Sequence, residues 1–265
     1  AKPYKLSNDQ IDFFKKNGFI KLKKVFSPGA VVKLRVELIN LLKKKFKVDP
    51  DKEAYDRFLS LEMIWPDNAL LRAYVLSPRL GQISANLLEV SAVRLYHDNV
   101  LAKQSGCGRT PWHFDDHHFP LDTNDVVTAW APAQPTPIEM GPLSFAYPLD
   151  VHELIKDVTF EKTGTGYDRE VSNIFSKNNV SVNATPFELG EVSFHHNLNF
   201  HTASSNRTNC SRIALANTYY RDGARVINSP TMVSGDWQKF MPNVKPGDIA
   251  AVSYTHLRAH ETALD

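Results

Sequence analysis

The eleven residues Thr110–Pro120, TPWHFDDHHFP, constrain this chain more than any other stretch. Three histidines and two aspartates crowd between Pro111 and Pro120, and His113 and Asp115 stand two apart. Side chains alternate faces along an extended strand, so His113 and Asp115 point the same way and are able to grip one ion. One imidazole and one carboxylate do not complete a metal site. A second imidazole arriving from elsewhere makes the two-histidine, one-carboxylate facial set that leaves coordination positions open on iron(II).

The rest of the chain reads as helices first and strands later. Ser7–Gln10 has the form of a capping box, followed by Ile11, Phe13 and Phe14, with Gly18 placed to stop a helix at about 8–17. Phe19–Val25 alternates partly, as an edge strand whose lysines face water. Ser27 and Pro28 open a longer helix, in which Val31, Val32, Leu34, Leu38, Leu41 and Leu42 keep helical spacing to about Lys45. Two more helices fit between Pro66 and about Leu88, the second opened by Ser77 and Pro78. Beyond Val90, β-branched and aromatic residues gather in short runs: Ala92–His97, Val126–Ala131, Leu143–Tyr147, Val180–Ala184, Val192–His196 and Ile213–Tyr220. This order predicts a mainly β fold, a sandwich or barrel with helices on one face. Asp150–Asn179 is polar and weakly periodic, and reads as a long loop, part of which is expected to be mobile and to close over substrate.

Composition bounds the possibilities without choosing among them. At 265 residues one domain over 1–250 is expected, with a helical N-terminal third and a β core from about residue 90. A net charge of +2 gives no case for nucleic acid. No stretch approaches the roughly 18 apolar residues of a membrane span, and AKPYKLSND lacks the apolar core of a signal peptide, so a soluble, cytoplasmic protein is expected. Cys107 and Cys210 have no CxxC partner and read as free thiols, with a lone disulfide as the alternative. The first fifty residues hold twelve lysines against four acidic residues. A solvated helix face explains this most simply; the sharper reading is a docking surface for an anionic carrier such as coenzyme A or an acidic carrier protein. The tail 251–265 shows no continued strand pattern, and SYTHLRAHET resembles cloning-adapter sequence translated in frame. His256 and His260 are therefore set aside as ligands.

The third ligand must come from His97, His117, His118, His152, His195, His196 or His201. In FHHNLNFHTASSNRTNCSRIALANTYY a polar turn, Ser204–Asn209, separates two apolar runs. A hairpin symmetric about Asn206 and Arg207 puts His201 opposite Arg212, with β-carbons about 4.5–5.5 Å apart. The planar fork of Arg212 suits a carboxylate. A dicarboxylate that chelates iron at one end and meets an arginine at the other is the 2-oxoglutarate arrangement. The plainer alternative is an ordinary surface ion pair.

These residues resemble the phytanoyl-CoA dioxygenase family of iron(II) and 2-oxoglutarate-dependent oxygenases. The resemblance runs from LSNDQIDFFKKNGFIKLKKVFSP through TPWHFDD and WAPAQPTPIEMGPLSF to GEVSFHHNLNFHTASSNRTNCSRIALA. It implies a double-stranded β-helix (jelly-roll) core flanked by α-helices, with Fe(II), 2-oxoglutarate and O2 as cofactors. His113, Asp115 and His201 then correspond to the iron ligands, Arg212 to the anchor of the distal carboxylate, and Lys103 to a lysine near the cosubstrate or substrate. Phe114 and Ala203 depart from the family's Gln and Ser at those positions, leaving more of the carboxylate to Arg212. His196 matches a family histidine; it and His195 read as structural or pocket-lining, while His117 and His118 line the substrate mouth or the surface. The implied activity is hydroxylation of a C–H bond with release of succinate and CO2. Asp115 fills the position a halide needs, which disfavours halogenation. An inactive jelly-roll binding protein and a zinc hydrolase using the same ligands are the alternatives, the latter leaving Arg212 unemployed. Substrate identity and oligomeric state stay open.

Overall fold

In the computed structural model, residues 3–52, 56–159, 165–230, 235–251 and 255–258 are described. Helix α1 (Asn8–Asn17) starts with the reciprocal bonds of a capping box: Gln10 N donates to Ser7 Oγ at 3.2 Å and Ser7 N to Gln10 Oε1 at 3.0 Å. It ends at Gly18, whose φ of +73° suits glycine and whose missing Cβ leaves room for Leu149 and Asn199. Strand β1 (Phe19–Leu22) follows at a sheet edge, as its sequence predicts. Lys21 does not face water, however. Its ammonium lies 3.9 Å from the centre of the Phe187 ring, donates to Pro186 O at 2.6 Å and is 3.7 Å from Glu191.

Helix α2 (Pro28–Phe46), capped by Ser27, buries Val31, Leu34, Leu38 and Leu42 along one stripe and leaves Val32 exposed. Strand β2 (Phe58–Glu62), which the sequence pattern does not announce, precedes α3 (Ala69–Val75) and α4 (Pro78–Leu87). Then come β3 (Ala92–Lys103), β4 (Thr110–His113), β5 (Val126–Pro132), β6 (Leu143–Tyr147), α5 (Val151–Ile155), α6 (Gly166–Asn178), β7 (Ser181–Asn183), β8 (Val192–His196), β9 (His201–Ala203), β10 (Arg212–Arg221) and β11 (His256–Arg258).

Two antiparallel sheets form the jelly roll. The larger has the order β1-β8-β5-β10-β3-β11, with β2 also paired to β3, and the smaller has the order β4-β9-β6-β7. Apolar side chains from α2, α3 and α4 pack with Leu95, Val100, Leu215 and Tyr219 on one side of the larger sheet. Phe19, Trp130, Ala214 and Ala216 of that sheet meet Leu143, Phe145 and Ala203 of the smaller one, so the space between the sheets is walled by both. Among the described residues no helix is long and apolar enough to cross a membrane. Cys107 and Cys210 are free thiols.

Two expectations fail. Asp150–Asn179 is not a structureless loop: α5 and α6 occupy most of it, with 160–164 outside the described residues. Tyr167, Val171 and Phe175 fall at i, i+4 and i+8 on α6 and are buried in a cluster that takes in Phe200 and Trp112. Polar residues on the other faces of α6 dilute that stripe in the sequence. The chain after 251 also supplies a strand, since β11 pairs with Ala92–Arg94 of β3 and Thr255 is buried.

Candidate functional site

His113 closes β4 and His201 opens β9, and the two are register partners across the ladder, with ring centres 4.2 Å apart. Asp115 lies beyond the strand end, where Asp115 N and Asp116 N both donate to Asn197 O, at 2.8 and 3.2 Å. Asn197 Nδ2 donates in return to Asp116 Oδ1 at 2.7 Å. The Asn-Leu-Asn turn between β8 and β9 thus holds the HxD segment and the second histidine together, a role the sequence pattern does not reveal.

Ring nitrogens are sorted by backbone carbonyls. His113 Nδ1 lies 2.8 Å from Pro111 O and His201 Nδ1 lies 3.0 Å from Asn199 O. Each Nδ1–H donates there, which leaves the Nε2 lone pair for the site, as metal-binding histidines require. Ligand atoms of His113, Asp115 and His201 all lie within 4.8 Å of one another. Donors about 2.1 Å from a shared ion at right angles stand about 3 Å apart, so small side-chain rotations close the set. Burial, and then His201, push His113 down to about 4; burial also takes His201 to about 4, against the pull of Asp115. Both imidazoles are therefore neutral near pH 7. Burial alone would raise the Asp115 carboxyl, but the surrounding His201, His195 and His113 hold it well below its ordinary range.

His195 belongs to this group as well. Its Nε2 is 3.6 Å from Asp115 Oδ2, its ring centre is 4.5 Å from that of His201, and it lines the cavity. His196 turns the other way, toward Phe14, and its Nδ1 accepts from Leu198 N at 3.2 Å. His118 lines the cavity, whereas His117 packs on Phe114.

Arg212 reaches the same cavity by a route other than the expected hairpin. Strand β9 pairs with β4 and β6 in the smaller sheet, while β10 pairs with β3 and β5 in the larger, so Arg212 faces Lys103 across its ladder and His201 faces His113 and Phe145. The turn between them crosses from sheet to sheet, tied down by Asn206 Nδ2, which donates to Lys103 O at 3.0 Å and Cys210 O at 2.8 Å. Arg212 is 2% exposed. Its Nη1 donates to Gly141 O at 2.8 Å, the guanidinium sits 5.3 Å from the Trp130 ring, and Nε has no partner. Among the described residues no carboxylate pairs with it. Burial lowers its pKa to about 10, which still leaves a cation at neutral pH. A buried, unpaired charge is costly, and a bound anion offsets that cost.

Lys103 is buried beside Arg212 but does not line the cavity. Its ammonium donates to Gly108 O at 2.9 Å, Ala203 O at 3.1 Å and Ser204 O at 3.0 Å. Burial, with Arg212 second, lowers it to about 7. Three carbonyl acceptors fit the charged form, which has three hydrogens to donate. Lys103 is a clamp on the crossover.

The cavity has a volume of about 540 Å³. Arg212, Trp130, Leu143, Ala203 and Ala216 line it together with the triad, as do Tyr96, His97, Phe119 and Phe240. The N-terminal lysine excess is partly neutralised within the chain: Lys15 pairs with Glu89 at 2.6 Å, Lys23 with Glu188 at 2.5 Å and Lys43 with Asp49 at 2.8 Å.

A jelly roll enclosing two neutral histidines, one carboxylate and a buried arginine that no carboxylate among the described residues meets brings together the donor set of a metal site beside an anion site. The chain belongs to the phytanoyl-CoA dioxygenase family, whose model, Phytanoyl-CoA dioxygenase (PhyH), matches residues 14–214. Similar solved structures include the non-heme alpha ketoglutarate dependent carbocyclase SnoK from nogalamycin biosynthesis, 21% identical over 97% of this chain and 100% of that one, TM-score 0.76. EctD from S. alaskensis with 2-oxoglutarate and 5-hydroxyectoine is 17% identical over 93% and 86%, TM-score 0.70. The epimerase SnoN from the nogalamycin pathway is 19% identical over 94% and 93%, TM-score 0.67. At these identities the likeness is one of fold. A comparison with curated proteins finds no match.

Proposed function

We propose that the chain is a non-haem iron(II), 2-oxoglutarate-dependent oxygenase that hydroxylates a C–H bond of a small organic substrate, free or carrier-linked, with release of succinate and carbon dioxide. Arg212 carries this reading. A metal triad alone fits zinc chemistry equally well, but a fully buried guanidinium with an unsatisfied Nε, facing the same cavity, calls for a dianion that reaches from metal to arginine. His113 Nε2, His201 Nε2 and an Asp115 oxygen would hold iron(II), and Arg212 would hold the distal carboxylate of 2-oxoglutarate. When bound, iron(II), 2-oxoglutarate and O2 supply the oxidising chemistry. The chain's own part is to fix the ligands through Pro111 O, Asn199 O and Asn197 O, to neutralise the cosubstrate, and to keep water away with Trp130, Leu143 and Ala216.

The test is succinate formation from 2-oxoglutarate with iron(II) and ascorbate, in wild type and in the single alanine variants of His113, Asp115, His201 and His196. Turnover is expected to vanish in the first three and persist in His196→Ala. The opposite pattern for His201 and His196 would reassign the ligand. Product mass then tests the reaction: hydroxylation adds one oxygen atom, whereas loss of two hydrogens with no oxygen gained would replace it by ring closure or desaturation.

A further inference from the structure

Strand β3 carries an irregularity where it crosses the cavity. His97 is opposite Thr218 and Leu95 opposite Tyr219, so the register shifts by one and Tyr96 has no partner on β10. Leu95 packs into the core beneath the helices, and Asp98 accepts from Ile64 N at 3.1 Å and Trp65 N at 3.2 Å on that same side. With both flanking residues turned to the helices, the extra residue lets Tyr96 and His97, consecutive in sequence, both face the cavity, which they line. An unbroken strand would have placed the two on opposite faces.

The two side chains share an aromatic box. Phe119 lies 5.1 Å from the Tyr96 ring, and Phe240 lies 5.2 Å from Tyr96 and 4.9 Å from His97, centre to centre. Tyr96 is 1% exposed, yet its hydroxyl has no hydrogen-bond partner, and His97 Nδ1 has none beyond the backbone of His97 itself. Buried polar atoms are rarely left so, because each forgoes a bond it makes in water. Lys239 at this end is already paired, donating to Glu62 at 2.6 Å and packing 4.7 Å from the Phe240 ring, while Asp236 also lines the cavity. Burial pushes His97 down and the Tyr96 phenol up, so both are neutral near pH 7.

The position suits substrate rather than cosubstrate. His97, Thr218, Thr128 and His195 are successive register partners across the larger sheet, and His195 touches Asp115. Three strand spacings separate His97 from His195, about 14 Å of backbone. Arg212 is opposite Lys103, six residues along β3 from His97, or about 20 Å away.

We infer that Tyr96 and His97 form a substrate subsite for an uncharged oxygen function, a hydroxyl or carbonyl on an otherwise apolar ring skeleton, held in the Phe119–Phe240 box at the end of the cavity opposite Arg212. This assignment rests on the oxygenase reading for calling the ligand a substrate.

Calorimetry on the protein loaded with iron(II) and 2-oxoglutarate under argon tests this with 1-tetralol, 1-tetralone and tetralin, which share one skeleton and differ in the oxygen. Wild type should bind the two oxygenated probes at least tenfold more tightly than tetralin, although tetralin is the more hydrophobic. Tyr96→Phe and His97→Leu should each reduce that preference to threefold or less. Tyr96→Phe should not lower the unfolding temperature, because the lost hydroxyl has no partner; a structural hydroxyl would lower it. Equal or absent binding of the three probes by wild type, or a preference intact in both variants, overturns the subsite. Binding of 2-oxoglutarate in the same instrument separates the two ideas. Its absence with the preference retained sinks the oxygenase reading alone, and its presence without the preference sinks the subsite alone.

Discussion

Replacing Arg212 by methionine separates cosubstrate binding from structure, because the two roles predict opposite changes in stability. The side chain is buried, makes one bond to Gly141 O and meets no carboxylate among the described residues. Methionine of similar bulk gives up that bond, about 1.5–3 kcal/mol for a charged donor. It also removes the desolvation of an unpaired cation, which amounts to several kcal/mol. The empty protein should therefore be as stable as wild type or about 1–2 kcal/mol more stable. Two charge-assisted bonds to the distal carboxylate are worth about 3–6 kcal/mol together, so the 2-oxoglutarate half-saturation should rise roughly a hundredfold or more. Arg212→Lys keeps the charge and loses the fork, costing about one of those bonds, or ten- to hundredfold. Ala203 offers no hydroxyl to share the load. The assay is succinate formation against 2-oxoglutarate at saturating iron, beside urea unfolding of the metal-free protein. A wild-type half-saturation in Arg212→Met, or a loss of several kcal/mol in the empty protein, would make Arg212 a structural residue rather than the cosubstrate anchor.

Lys103→Met should act on stability: three carbonyls lose their donor, for about 2–3 kcal/mol in urea unfolding, and unchanged stability with lost 2-oxoglutarate affinity would instead make Lys103 a cosubstrate ligand. Phe175→Ala should cost about 3–5 kcal/mol by opening a cavity beneath Trp112, whose ring centre is 5.1 Å away. Amides of residues 171–176 should exchange slowly even without ligands, because α6 is packed; rapid exchange there would restore the picture of a loose lid.

His113 and Asp115 stand out in the sequence as two ligand types two residues apart, yet strand alternation is not what joins them: β4 ends at His113, and Asp115 is held in the following turn by Asn197 O. His201 stands out through the polar turn that follows it and through the family resemblance, although β9 and β10 do not pair as a hairpin. The same turn misleads about Arg212: a symmetric loop between two apolar runs looks like a hairpin, yet here it carries the chain from one sheet to the other, and both side chains arrive at the cavity from opposite walls. Nothing in the local pattern distinguishes those cases. Helix α6 is hidden because only Tyr167, Val171 and Phe175 mark its buried face among polar neighbours. His195 lines the cavity, one of the two places the sequence reading gave it, but its proximity to Asp115 is hidden because that depends on how the β8–β9 turn docks on the segment after β4. Lys103 shows the limit of a positional match: it stands where a cosubstrate lysine was expected and spends its donors on the backbone.

If the proposed function holds, His113, Asp115, His201 and Arg212 assemble a single iron and 2-oxoglutarate site. Anaerobic titration of the metal-free protein with iron(II), then with 2-oxoglutarate, reads that assembly through the visible metal-to-ligand charge-transfer absorption of the chelate. The band should appear only when both are present, be absent from His201→Ala, and need far more 2-oxoglutarate in Arg212→Met. A band of full intensity in His201→Ala, or none in wild type at saturating iron and 2-oxoglutarate, would contradict it.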